Sequence, residues 1–119
     1  MDKWQAITSF WSGFGLPAYD ENIIPESAEM PYITYESQTD SVGSALLLTG
    51  SLFYRSTSWA EISQMSDGIG KYIESMSCIK IDDGAVFITK GSPFAQRMSD
   101  EDSNVRRILM NIQVEYLTN

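Results

Sequence analysis

Histidine is absent from this 119-residue chain, and cysteine occurs once, at Cys78. The first absence removes the default general base near neutral pH, the imidazole metal ligand and every triad of the Ser-His or Cys-His kind. The second rules out an internal disulfide and is compatible with a reducing compartment. A thiolate at Cys78 would need a cation such as Lys71 or Lys80, or a helix N-terminus, to activate it; the position follows a helix, so the residue reads as a small core hydrophobe. Basic charge is scarce too: eight Lys and Arg stand against sixteen Asp and Glu, a net charge of −8. Such a chain repels phosphate backbones and anionic lipid, and only Arg106 and Arg107 are adjacent, which argues against sequence-specific nucleic-acid binding. No apolar run approaches the roughly 20 residues that cross a bilayer, and Met1-Asp2-Lys3-Trp4-Gln5 is no basic leader. A cytoplasmic protein without a membrane partner is expected.

What is present is patterned. Residues 2–13 read as a helix with Asp2 as N-cap and Trp4, Ile7, Trp11 and Phe14 along one stripe, stopped by Gly13 and Gly15. Residues 16–31 hold three of the four prolines and read as an extended connection without regular structure. A strand follows over 31–37, then a polar turn over 38–44 and a second strand over 45–55, paired antiparallel with the first. Gly50 marks a bulge or a close backbone approach in that strand. It runs into Ser58-Trp59-Ala60-Glu61, a capping-box pattern opening a helix from Trp59 to about residue 77 with Ile62, Ser66, Ile69 and Ile73 at helical spacing. Gly68 and Gly70 predict a kink or an early end. Asp83-Gly84 predicts a tight hairpin turn within 79–89, residues 91–104 a second polar connection, and the alternation of Ile108, Met110, Ile112, Val114 and Tyr116 a strand with one buried face. The sum is a single α+β domain: a mostly antiparallel sheet of about five strands with two helices packed on its apolar face.

No constellation carries catalysis. Asp82-Asp83-Gly84 and Asp100-Glu101-Asp102 are the dense carboxylate groups, yet neither has the alternating acids of a calcium loop, and turn chemistry accounts for both. The hydroxyls of Ser56-Thr57-Ser58 serve as caps. Gly13-Phe14-Gly15 follows a helix, the wrong context for a dinucleotide fingerprint. These readings predict no catalytic residue, no metal and no cofactor, hence a protein that is not an enzyme. The aromatic inventory suits both a core and an interface.

The N-terminal helix, the loop into Met30-Pro31-Tyr32-Ile33-Thr34-Tyr35, the strand into Arg55-Ser56-Thr57-Ser58-Trp59, and Ile88-Thr89-Lys90-Gly91-Ser92-Pro93-Phe94-Ala95-Gln96 together resemble the small neck and tail-completion proteins of long-tailed bacteriophages, tail terminators most of all. The resemblance implies an α+β sandwich and a structural role in the virion, assembled in the host cytoplasm. Its members form a ring, commonly of six subunits, that caps the tail tube and faces the head connector, so the implied partners are further copies of the chain, the tail-tube protein and connector proteins. Under it the candidate interface comprises Trp4, Phe10 and Trp11 on the outward face of the first helix, Arg55, the 91–104 connection with Phe94, Arg97 and Met98, and Arg106 and Arg107; the 16–31 connection belongs with them. A head-tail connector or stopper, a tail-tube subunit and, from another class, a small ligand-binding or enzymatic domain are the alternatives.

Overall fold

Two helices and six strands alternate along the chain in a computed structural model that describes residues 1–39, 45–76 and 78–118: α1 (Lys3–Ser12), β1 (Ala18–Asp20), β2 (Tyr32–Tyr35), β3 (Ala45–Arg55), α2 (Ala60–Ser75), β4 (Ile79–Ile81), β5 (Gly84–Met98) and β6 (Val105–Thr118). The strands form one sheet in the order β1-β2-β3-β6-β5-β4. Its spine is β3 against β6, paired antiparallel from Ala45↔Glu115 to Arg55↔Val105. The α+β class holds, but the sheet has six strands and is mixed, because β1 runs parallel to β2. Three residues beside Pro17 show no period, and main-chain bonds pair this strand: Ile33 N–H donates to the Pro17 carbonyl and Glu21 N–H to that of Tyr35, both at 2.9 Å. The predicted turn over 38–44 extends past residue 39 and lies outside the described residues.

Alternation divides the sheet into two unlike faces. Leu48, Leu52, Tyr54, Val86, Ile88 and the five alternating residues of β6 point to one side, where Ile7, Phe10 and Trp11 of α1 and Ile62, Ile69 and Ile73 of α2 meet them in one buried core. Each of the larger apolar side chains contributes about 1.5–3 kcal/mol when fully buried. The other face carries Leu47, Phe87 and Leu117, all exposed, and no helix among the described residues covers it. Neither helix is long and apolar enough to cross a membrane.

The helix α1 begins as its sequence dictates. Asp2 accepts from Gln5 N–H at 2.8 Å while the Gln5 side chain accepts from Asp2 N–H at 2.9 Å, a complete capping box. Trp11 then lies over Gly50 of β3, so that a Cβ on Gly50 would sit 2.5 Å from the indole. This is a close approach without a bulge, and it packs the indole stacked beside Tyr35. Phe10 and Phe14 reach Tyr72 edge-on or tilted, tying α1 to α2.

Helix α2 departs from expectation at both ends. The Ser58–Glu61 capping box does not form, because Trp59 takes the cap position and shifts the box register by one residue. Ser58 Oγ accepts from Ala60 N–H at 3.1 Å instead, and Ser56 Oγ accepts from Ser58 N–H at 3.0 Å. Nor do the glycines break the helix, which runs unbroken to Ser75; residue 77 lies outside the described residues. Gly70 admits Lys90 and Phe94, whose side chains lie 3.0 and 3.1 Å from where a Cβ would stand, whereas Gly68 faces open space.

The β4–β5 hairpin forms, with Asp82-Asp83 as its turn and Gly84 already paired to Ile81. The turn is therefore one residue earlier than Asp-Gly chemistry predicts, and Gly15 is the described residue with positive φ, at 81°. The larger correction concerns 91–104. Its first half is strand, since β5 continues to Met98, and only residues 99–104 are a loop. Pro93 masked this: it stands where the register slips between Lys90↔Ile112 and Ala95↔Met110, a bulge that places residues 91–94 opposite Asn111 alone. Proline is tolerated there because no ladder bond is required of it. Asn111 Nδ2 donates to the Pro93 carbonyl at 3.0 Å and fixes the bulge.

Gly50→Ala should cost about 2–3 kcal/mol or more in urea unfolding, since the indole cannot retreat, while Gly68→Ala should gain up to about 1 kcal/mol. Tyr116, fully buried with its hydroxyl donating to the Gln38 carbonyl at 2.8 Å, is pushed up to about 12 by burial. Its folded value exceeds the unfolded one near 10, so the stability it carries is intact below pH 10 and is lost as pH rises toward 12, on the order of 2 kcal/mol. Tyr116→Phe should flatten that alkaline loss in a pH series of urea titrations.

Candidate functional site

All four arginines of the chain lie at one end of the central strands: Arg55 ends β3, Arg97 is next to last in β5, and Arg106 and Arg107 open β6. Register explains how residues distant in sequence meet, with Tyr54↔Arg106 on one side of β6 and Arg97↔Ile108 on the other. Alternation then separates the adjacent pair. Arg106 points to the helix side and Arg107 to the open face, where it lies over Phe53 at 5.3 Å and donates to Ser51 Oγ at 3.1 Å.

On the helix side Trp59 forms a platform for two guanidiniums, Arg97 at 4.8 Å and Arg106 at 5.4 Å from its ring. These residues line an open cleft of about 380 Å³ together with Met98, Val105 and the 99–103 segment. The two arginines are not equivalent. Arg106 is half-buried and committed: Nη2 donates to the Thr57 carbonyl at 2.8 Å, and Nη1 to those of Ser103 and Val105 at 2.9 and 3.2 Å. It staples the β3–α2 junction to the start of β6, and its buried Nε has no protein partner. Arg97 is exposed and, among the described residues, makes one marginal hydrogen bond, to Ser63 Oγ at 3.5 Å. Its guanidinium is free to take a further partner.

Acidic residues frame this end without filling it. Asp102 accepts from Arg55 Nη1 at 3.4 Å in an exposed pair, the kind worth at most about 1 kcal/mol. Its other oxygen accepts from Asn104 N–H at 2.9 Å, and Asp100 accepts from Asp102 N–H at 3.0 Å, so this acidic cluster is built as turn chemistry. The Tyr54 hydroxyl is held above its ordinary range by burial and by the nearby Glu61 charge. Among the described residues no group of three or more His, Cys, Asp or Glu side chains is placed to hold a metal ion. Cys78 is half-buried and free.

The sequence candidates therefore divide. Arg97 and Arg106 converge in the cleft, with Arg55 beside it through Asp102; Met98 borders the cleft but is paired with Arg107, whose side chain lies on the open face. Arg107 faces away. Phe94 is half-buried against the core, under Gly70 and beneath Lys90 Nζ at 5.2 Å, a lysine whose ion pair at 2.6 Å holds the Glu74 carboxyl below its usual range. Phe10 and Trp11 are not on the outward face of α1 but buried beneath it, because the apolar stripe of that helix is wide enough to fill the gap between sheet and α2. Trp4 alone of the three is exposed, beside Gln5, Thr8 and Ser12 on a shallow surface. Trp59 was missed as a site residue, since helical spacing explains it fully and only the β5–β6 register brings both arginines to it.

Arg106→Ala should cost about 2–4 kcal/mol in urea unfolding, because three carbonyls lose a charged donor. Arg97→Ala should change stability by no more than about 0.5 kcal/mol.

A scan against protein-family models finds no match for this chain, and a search of curated proteins finds none. Among solved structures, the fold is similar to that of a chain in the virion of a native gene transfer agent (GTA) particle, with a TM-score of 0.60 and 12% identity over 96% of this chain and 88% of that one. At this identity the likeness is one of fold, and it extends over nearly the whole of both chains.

Proposed function

We propose that this chain is a structural virion protein of a phage-like particle, a tail terminator whose ring caps the tail tube and joins it to the head connector. The observation that supports the reading is the likeness of fold, over most of both chains, to a chain in the gene transfer agent virion. The motif resemblance described above points to the neck of the tail in particular. Nothing in the reading requires chemistry: the protein works by binding copies of itself, the tube protein and connector proteins, six copies being the number the resemblance implies. The absence of histidine suits such a role, since a ring that processes no substrate needs no general base.

An acidic surface also suits a ring through which DNA passes, because carboxylates do not hold phosphates. A stopper or connector in the same neck would share these properties, and a tube subunit would differ by polymerising alone. The deciding experiment expresses the chain alone and together with the tail-tube protein of its particle, with mass measurement and electron microscopy of the products. Rings of the chain, and tubes capped at one end with a uniform length, are expected. Tubes unaffected in length, with the chain monomeric throughout, would overturn the reading; tubes of the chain alone would make it a tube subunit.

A further inference from the structure

Charge is segregated along this chain in a way its net value hides. No basic residue occurs between Lys3 and Arg55, while Asp20, Glu21, Glu26, Glu29, Glu36 and Asp40 all fall in that interval. Three of these acids, Glu21, Glu26 and Glu29, are exposed on the connection between β1 and β2, at the edge of the sheet. Ile23 and Ile24 stand among them, 75% and 42% exposed. An isoleucine so exposed contributes little to its own fold. The connection is nonetheless shaped: Ile23 N–H donates to the Asp20 carbonyl at 2.9 Å, Asn22 N–H to Asp20 Oδ1 at 2.9 Å, and Ala28 N–H to the Pro25 carbonyl at 3.0 Å. It is an ordered protrusion with apolar anchors and three negative charges.

The Trp59 cleft is its complement. Trp59 offers apolar surface, and Arg97 holds its guanidinium over the indole with one marginal hydrogen bond of its own; Asp100 and Asp102, which also line the cleft, are engaged in the turn, and Asp102 in its pair with Arg55. Two copies of a chain at −8 repel each other, so a stable contact between them must place an uncommitted cation against carboxylates. We infer that the β1–β2 connection of one copy docks in the Trp59 cleft of the next, with its glutamates on Arg97 and Ile23 and Ile24 against Trp59. Donor and acceptor are different surfaces of the same chain, the edge at β1 and the end of β5 and β6, so each copy gives one contact and receives another. Such head-to-tail pairing closes into a ring when its rotation permits. The inference rests on the assembly reading above and names its contact.

Charge reversal tests it. Arg97→Glu makes the cleft acidic; Glu21→Lys, Glu26→Lys and Glu29→Lys together make the protrusion basic. Sedimentation velocity, on the chain alone and with the tail-tube protein, should show each variant associating at least tenfold more weakly than wild type, with thermal unfolding unchanged. Arg97→Gln should show a smaller loss in the same direction. Mixed in equal amounts, the two reversed variants should assemble with each other, because each supplies the partner the other lacks, and rising salt should weaken every such assembly. Wild-type assembly that survives Arg97→Glu, or a mixture that stays apart, overturns this contact and leaves the assembly reading standing. A wild-type chain that is monomeric under both conditions overturns the two together.

Discussion

The indole of Trp11 needs a flat place on the sheet, and Gly50 provides it. No other side chain at position 50 would leave room for the ring, since even a methyl group would stand 2.5 Å from it. With the indole seated, α1 lies close enough for Phe10 to pack edge-on against it and, with Phe14, to reach Tyr72 of α2. The two helices thus form one layer because of a contact made by the first of them with the third strand. Burial of Ile7, Ile33, Leu48 and Leu52 around that contact is cooperative with it: each fills space that exists only when the ring is down.

At the far end of the same strands a second aromatic residue organises charge. Two guanidiniums lie over Trp59, and Arg106 adds hydrogen bonds to the carbonyls of Thr57, Ser103 and Val105 that tie the β3–α2 junction to the start of β6. Arg97 is left with its charge directed outward. The division of labour between two chemically identical side chains comes from depth: one is half-buried among carbonyls and the other is exposed.

Much of the fold was legible from the residues. The whole of β3, the alternation of β6, the Asp2 cap and the apolar stripe of α2 follow from period and local hydrogen bonding, and the structure reproduces them. Misreadings arose where a tertiary contact overrode local chemistry. Gly68 and Gly70 argue for a kink or an early end, yet Gly70 is the point at which α2 meets Lys90 and Phe94, and the helix continues past both to Ser75. Pro93 argues for a loop, yet β6 continues beside it and the chain resumes pairing at Ala95. The arginine end was nominated in pieces; its unity depends on strand order and register, which no local pattern encodes. That Phe10 and Trp11 face inward follows from the same ignorance of what α2 leaves unfilled.

The bulge at residues 91–94 has a bearing on solubility as well as on packing. Past Val86, β5 has no strand on its outer side among the described residues, so its long outer edge is a template on which foreign strands can grow. By spending four residues opposite one, the chain breaks that edge into two short pieces, and the ring of Pro93 removes a donor at the break. Neither piece offers the continuous run of main-chain groups that fibrous stacking needs. The chain is thereby guarded against pairing with foreign strands along this edge.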